Sequence, residues 1–430
     1  MSPITDLPCE LVASILRNLD NFSSLLPSLL ACRHFYSSFT ENPRIQSEVL
    51  QRQVTPALLP YSIALMEASR LPRPRTAASI HTLLDTLYKD PAQLIARLQT
   101  MPLPMVLRMG CTHNVIHDLA AEFATDAWGL LLQGDSRVSG DLSLSSKEEF
   151  RFHRAFYRVE LFFQLFRDYQ GGEAGLLEAR EFQQFLSRHP PWENEQLGCV
   201  HDFLEKRLSE ASLDVVAHDI EFGEYEIDYL EFGGENYWKQ LWMSQGVHFI
   251  YQLLNEDSYE AKKALLKSAF SSKPIYLHDA LSSPAGDTDY DHVILEDYDH
   301  VQIEALAPRR DDQDTDKGPF SAWFSDYRSL PRDAWVMFSD KAGLRERAYV
   351  LWDSDRIKRF NLMNVFSSVP EDPSYLCTDE DIVDDMRTSF DERSKIWQKG
   401  GSGYWSKNDT SKVEWPSKPI LKTVSPVIEE

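Results

Sequence analysis

Within residues 141–168, DLSLSSKEEFRFHRAFYRVELFFQLFRD, apolar side chains recur at alternating four- and three-residue steps through Phe152, Phe156, Val159, Phe163 and Phe166. That spacing collects them on one face of an α-helix and would scatter them over both faces of a strand, so it predicts a helix with a buried face. Ser145 followed three residues on by Glu148 has the form of a capping box that starts it. Arg151, Arg154 and Arg158 share another face. They are expected to form a solvated helix face, salt-bridged to Glu148 and Glu160.

The same period organises most of the chain. Residues 48–68 and 76–100 read as helices interrupted by prolines, with LPRPR at 71–75 as a turn. Residues 103–132 carry apolar faces at Val115, Leu119, Phe123 and Leu130 to Leu132, and end at Gly134-Asp135-Ser136. Pro190-Pro191 breaks the 185–208 segment into a helix end and a new helix with an acidic first turn. A further pair spans Tyr237 to Leu254 and Tyr259 to Phe270. Strands are expected only after about residue 300, where VQIEAL (301–306) and RAYVLW (347–352) are short candidates. The stretch from Asp279 to Asp316 is dense in Asp and Pro and predicts an exposed loop. Residues 399–430 predict a flexible tail, with Gly400-Gly401-Ser402-Gly403 as a linker. The predicted class is therefore mainly α, an all-helical domain of orthogonally packed helices followed by a less regular C-terminal region.

With 430 residues and 43% hydrophobic content, the chain can bury a sizeable core. Its 44 basic against 67 acidic residues give a net charge of −23, which repels phosphate backbones and anionic bilayers, so neither nucleic acid nor membrane is expected as a partner. Cys9, Cys32, Cys111, Cys199 and Cys377 show no CxxC or repeated spacing, which fits reduced, buried thiols and an intracellular setting, cytoplasm or nucleus. The N-terminus has no signal-peptide pattern, and no stretch reaches about 18 consecutive apolar residues.

The N-terminal residues ITDLPCELVASILRNLDNFSSLLPSLLACRHFYSSF add a second constraint. Pro8 suits the first position of a helix and Glu10 its positive end. From there Leu11, Ile15 and Leu19 recur at four-residue steps with Val12 and Leu16 beside them, leaving Ser14, Arg17 and Asn18 for water. A second helix is expected with Ser23 or Ser24 as its cap, placing Pro27 in its first turn, and to continue through Leu25, Leu29 and Cys32, with Leu26 and Leu30 as another line, to Phe35, Tyr36 and Phe39. Two helices this short cannot bury both lines against each other, so a further surface must cover the surplus.

The segments LPCEL (7–11), ILRNL (15–19) and LLACRHF (29–35) resemble the F-box, by which substrate receptors dock the Skp adaptor of SCF-type cullin-RING ubiquitin ligases. The family pattern runs Leu-Pro-x-Glu-Leu, Ile-Leu-x-x-Leu and Val-Cys-Arg-x-Trp. Here the last element is Ala31-Cys32-Arg33-His34-Phe35, with Phe in place of Trp, and the loop between helices is one residue longer. Three more segments, LSSKEEFRFHRAFYRVELFFQLF, PPWENEQLGCVHDFL and RERAYVLWDSDRI, are similar to a group of F-box proteins of filamentous fungi that has no agreed substrate. That likeness extends from the first ten residues to about residue 360.

The resemblance implies a non-catalytic substrate receptor without cofactor, bound to the Skp adaptor and through it to cullin, that presents an unknown protein target. By the same resemblance Leu7, Pro8, Leu11, Ile15, Leu16, Leu19, Leu25, Leu29, Cys32 and Phe35 match the adaptor-docking motif, some of them serving instead to join the helices to each other. The expected division is 1–45 F-box, 46–278 helical domain, 279–398 acidic loop and irregular region, and 399–430 tail. A helical scaffold acting without cullin is the alternative. The absence of internal repeats argues against leucine-rich or propeller substrate domains.

Other candidate sites fail on spacing. Asp287, Asp289 and Asp291 begin like an EF-hand loop, but His292 replaces its glycine and Tyr298 its glutamate; Asp312, Asp314 and Asp316 meet Lys317 and Trp323 at those places. Both predict solvated acidic loops. Cys111, His113 and His117 are candidates to bring sulfur and nitrogen ligands to one side of a helix, but no fourth ligand lies nearby and Asn114 stands where a zincin would need glutamate, so half-buried histidines and no metal are expected. No GxSxG elbow, P-loop or GxGxxG follows a predicted strand.

Overall fold

The computed structural model describes residues 7–134, 140–167, 176–227, 229–230, 236–283, 294–306, 314–329, 336–376 and 380–417. Local caps set many of the helix starts: Asn21, Thr76, Asp90, Ser145, Ser258 and Asp353 each accept a first-turn backbone N–H. In chain order the helices are α1 (Cys9–Arg17), α2 (Phe22–Ala31), α3 (Arg33–Thr40), α4 (Ile45–Gln53), α5 (Leu59–Arg70), α6 (Ala77–Lys89), α7 (Pro91–Leu98) and α8 (Leu103–Gly134). Then follow α9 (Ser146–Phe166), α10 (Leu176–Leu186), α11 (Pro191–His218), α12 (Tyr237–Met243), α13 (Val247–Leu254), α14 (Tyr259–Ser268) and α15 (Leu277–Ser282). The last six are α16 (His300–Ala305), α17 (Gly318–Tyr327), α18 (Ala342–Glu346), α19 (Ser354–Arg359), α20 (Leu362–Phe366) and α21 (Glu380–Gln398). The strands among the described residues are β1 (Ser402–Gly403) and β2 (Val413–Glu414), paired antiparallel. The fold is mainly α, and no described helix is long and apolar enough to cross a membrane.

The chain forms two compact units, and neither is a single run of sequence. The first comprises residues 1–197, 284–335 and 348–367; the second comprises 198–283, 336–347 and 368–430. The expected linear division into 46–278 and 279–398 is thereby replaced, because segments far apart in the chain complete each core.

In the first unit α9 is the central element, packed on α5 and α8. The capping box forms as the sequence predicts, with Ser145 Oγ accepting from Glu148 N at 3.2 Å and Glu148 Oε2 from Ser145 N at 2.9 Å. Phe162 packs against Phe166, Phe182 and Phe185 at centroid separations of 4.9, 5.1 and 5.5 Å. The arginines correct the sequence reading: Arg151, Arg154 and Arg158 are buried, because beyond its first turn α9 is surrounded by other segments. Arg151 pairs with Asp314, Arg154 and Arg158 approach Glu193 at 3.3 and 3.6 Å, and Glu148 is taken by Arg356 through two 2.7 Å bonds. Asp314 and Asp316 are accordingly not a solvated loop: Asp316 Oδ1 accepts from Gly318 N at 2.7 Å and from Ser354 N at 2.9 Å. Asp287, Asp289, Asp291 and Asp312 lie outside the described residues.

The two expected strands are absent. VQIEAL falls in α16, and RAYVLW forms a turn in which Ala348 takes φ 53° and Tyr349 to Trp352 are buried; the apolar run marks burial, not a ladder. Residues 294–306, expected as exposed loop, include buried Leu295 and Leu306.

In the second unit the single helix expected over 237–254 is split at Gly246, whose φ of 91° allows the chain to turn between α12 and α13. The irregular region and the first part of the expected flexible tail are corrected too; residues 418–430 of that tail lie outside the described residues. Residues 380–398 form α21, which packs on a 3₁₀ turn at Ile220–Glu224, and Trp397, Trp405 and Ile220 make a buried cluster with Ile396 and Val413 against it. The glycine run is the tight turn that returns the chain to that cluster, with Gly400 and Gly403 at φ 83° and 96°. Cys199 is buried, but Cys9 and Cys32 are half-buried and Cys111 is exposed, so the expectation of buried thiols holds at one of the four described cysteines; Cys377 lies outside them.

Candidate docking surface

The N-terminal module has three helices where the sequence reading has two. Cys32 adopts an extended conformation, φ −159°, and ends α2, so Arg33–Thr40 becomes the separate helix α3. Asn21, not a serine, caps α2 through a 2.9 Å bond from Ser24 N, which leaves Pro27 inside the helix. α3 packs on both α1 and α2, and His34 Nε2 lies 2.8 Å from the Leu7 carbonyl oxygen.

The inner side of this module rests on its own chain. α1 and α2 pack on α4, and α2 also on α8. Gly110 permits that approach, since a Cβ there would lie 2.8 Å from Phe22 Cδ2 and 2.9 Å from Gln53 Oε1. Gln53 completes the joint, accepting from Phe22 N and donating to the Gly110 carbonyl oxygen at 2.9 Å. Arg17 reaches Asn42 Oδ1 at 3.2 Å and Glu48 at 3.3 Å.

This packing divides the ten residues singled out by the motif. Leu16, Leu25 and Leu29 are buried with Val12, Ala13 and Phe22 and hold the helices together. Leu7, Leu19, Cys32 and Phe35 are half-buried, and Pro8 is exposed at the cap of α1. Leu11 and Ile15, one turn apart on α1, remain 54% and 42% exposed. The structure adds Leu26, Leu30 and Tyr36, which the motif does not single out; Leu30 is 78% exposed. The signal for Leu26 and Leu30 in the sequence was the second apolar line of α2, at a four-residue step. Leu11, Ile15, Leu26, Leu30 and Tyr36 account for five of the twelve exposed large hydrophobics among the described residues, all within the first 36 positions. Covering the wet part of each releases on the order of 1 kcal/mol.

Two polar clusters of the second unit are committed to structure. Asp202 binds Arg345 at 2.5 Å and His201 at 3.2 Å inside the second unit, where burial would raise its carboxyl but the guanidinium holds it below the usual range. A cleft in that unit lined by Glu221, Tyr225, Lys267, Phe270 and Trp397 pairs its lysine with Glu221 at 2.8 Å. Cys111 is exposed and does not join His113 and His117. Instead His113 Nδ1 meets the Tyr157 hydroxyl at 3.0 Å, and burial, followed by the neighbouring histidines, pulls its imidazole down to about 3. No protein-family model, curated protein or solved structure matches the chain.

Proposed function

We propose that this chain is a non-catalytic substrate receptor of an SCF-type cullin-RING ubiquitin ligase, docking the Skp adaptor through α1 to α3 and presenting a protein target for ubiquitination. The observation that carries the reading is the concentration of wet apolar side chains, Leu11, Ile15, Leu26, Leu30 and Tyr36, on the same three helices that hold the Leu-Pro-x-Glu-Leu and Cys-Arg-x-aromatic elements. Exposed apolar side chains gathered on three short helices whose other residues are buried support a partner, since concentrated apolar exposure marks interaction sites. The chemistry would belong to the conjugating enzyme. The receptor would raise the local concentration of the target beside it, as linked binding sites do.

Co-purification with the Skp adaptor tests this reading, with the Leu11→Asp, Ile15→Asp double variant beside the wild type. Both positions are exposed, so the variant keeps its fold, while a charge buried in an apolar contact removes binding. Stoichiometric capture by the wild type alone is the expected result. Failure of the soluble wild type to bind would make the chain a helical scaffold that acts without cullin.

A further inference from the structure

Where α8 and α9 pack together, each contributes two polar residues one turn apart: His113 and His117 from one, Glu149 and His153 from the other. Three of these converge. A ring nitrogen of His117, one of His153 and a carboxylate oxygen of Glu149 all lie within 4.8 Å of one another. His113 stands apart, since its Nδ1 meets the Tyr157 hydroxyl and the Gln53 backbone hydrogen-bonds its ring.

The tautomer of His153 is set by its surroundings. Its Nδ1 lies 2.6 Å from the Glu149 carbonyl oxygen, which can only accept, so that nitrogen carries the proton. The side chain is buried. The bare Nε2 is therefore aimed at His117 Nδ1, 3.1 Å away. Two imidazole nitrogens bound tetrahedrally to one ion at about 2.0–2.1 Å stand about 3.3 Å apart, so the pair is already spaced within a few tenths of an ångström of a chelate. An imidazole held by a backbone carbonyl through its second nitrogen is the usual outer support of a metal ligand. His117 and Glu149 are exposed, which leaves the third ligand and the open coordination positions accessible from water.

We propose that His117, Glu149 and His153 form a binding site for one first-row divalent transition-metal ion, of which zinc is the representative, clamping α8 to α9. Two imidazoles and a carboxylate suit such an ion and leave room for a fourth ligand. On binding, the proton that His117 Nδ1 donates to His153 moves to His117 Nε2, so both facing nitrogens become ligands and the imidazole pair releases no proton. The buried His201, Asp202 and Glu205 group lacks this character, because Asp202 is already bonded to Arg345. The site is independent of adaptor docking.

The test uses the full chain, stripped with a chelator and titrated with Zn²⁺ against a chromophoric competitor, with thermal melting of each sample. The expected result is one ion per chain and a rise in melting temperature on loading. His117→Ala and Glu149→Gln, both at exposed positions, should each lower affinity at least about 10-fold and abolish the thermal shift. Absence of stoichiometric binding by the wild type, or an affinity that neither substitution changes, would overturn the assignment.

Discussion

Arg151 and Asp314 stand 163 positions apart in the chain and meet as a two-bond pair, Nε to Oδ2 at 2.8 Å and Nη2 to Oδ1 at 2.7 Å. The guanidinium side chain is 0% exposed and the carboxylate side chain 7%. Charges this deep are tolerated only when paired, so the contact commits a segment near residue 314 to the central helix of the first unit.

Breaking that pair from one side leaves the buried Arg151 guanidinium only its longer contacts, to Asp316 at 3.4 Å and to the Leu351 carbonyl oxygen at 3.3 Å. Asp314→Asn should cost about 3–5 kcal/mol in urea unfolding, whereas the double change Arg151→Leu, Asp314→Leu should cost well under the sum of the two single ones. Additive losses would show that the two residues are not coupled.

His189 makes the first unit acid-sensitive. Burial pulls its imidazole down to about 3, with the Arg158 cation adding to the effect, and Nδ1 donates to Glu193 at 3.1 Å. Tyr88, Arg154 and Arg158 also surround it, all in one charge state above pH 5. A folded-state imidazole held below its unfolded value takes up no proton where the unfolded chain does, so stability falls as pH drops below about 6.5, by on the order of 2 kcal/mol at pH 5. Glu193 acts lower down. Burial would raise its carboxyl, but Arg154, His189 and Arg158 hold it at about 2, and its contribution is lost between about pH 4.5 and 2. His189→Gln should flatten the stability profile between pH 6.5 and 5 and leave the lower limb; an unchanged slope would remove His189 as the cause.

The N-terminal leucines should separate by role. Leu25→Ala, at a fully buried position, should cost about 2–5 kcal/mol of stability, while Leu30→Ser should stay within about 0.5 kcal/mol and, on the proposed function, weaken capture by the Skp adaptor. Equal effects on melting would show that α2 has no outer face.

In the second unit, Trp405→Ala should lower stability by about 3 kcal/mol or more, because Trp405 is buried against Ile220 and Trp397. Gly223→Ala should do comparable harm, as a Cβ there would meet the Arg393 carbonyl carbon at 2.6 Å. Denaturant midpoints equal to that of the wild type would return residues 400–417 to a free tail.

Much of the helix layout was legible because it is local. Ser145 and Glu148, Pro190-Pro191 and the glycine at 134 act within one or two turns, and α8, α9 and α11 start or end where those residues place them. The misreadings share one cause. VQIEAL and RAYVLW are apolar runs whose period is too short to separate strand from buried helix or turn, and the arginines of α9 have the pattern of a solvated face until a distant aspartate is known to cover them. The motif residues of α1 and α2 were found together, but periodicity alone could not say that Leu16 faces in and Leu11 out.

Sequence alone determined the helical class, several helix boundaries such as those of α8 and α9, and the apolar excess of the first 36 residues, since propensity, capping and period are properties of neighbouring positions. Tertiary structure decided which charges are buried, which leucines remain wet, that residues 284–335 and 348–367 complete the first unit, and that His117 faces His153. These depend on contacts between segments tens to hundreds of residues apart, and burial or pairing there is set by what the partner segment places opposite, which no local pattern encodes.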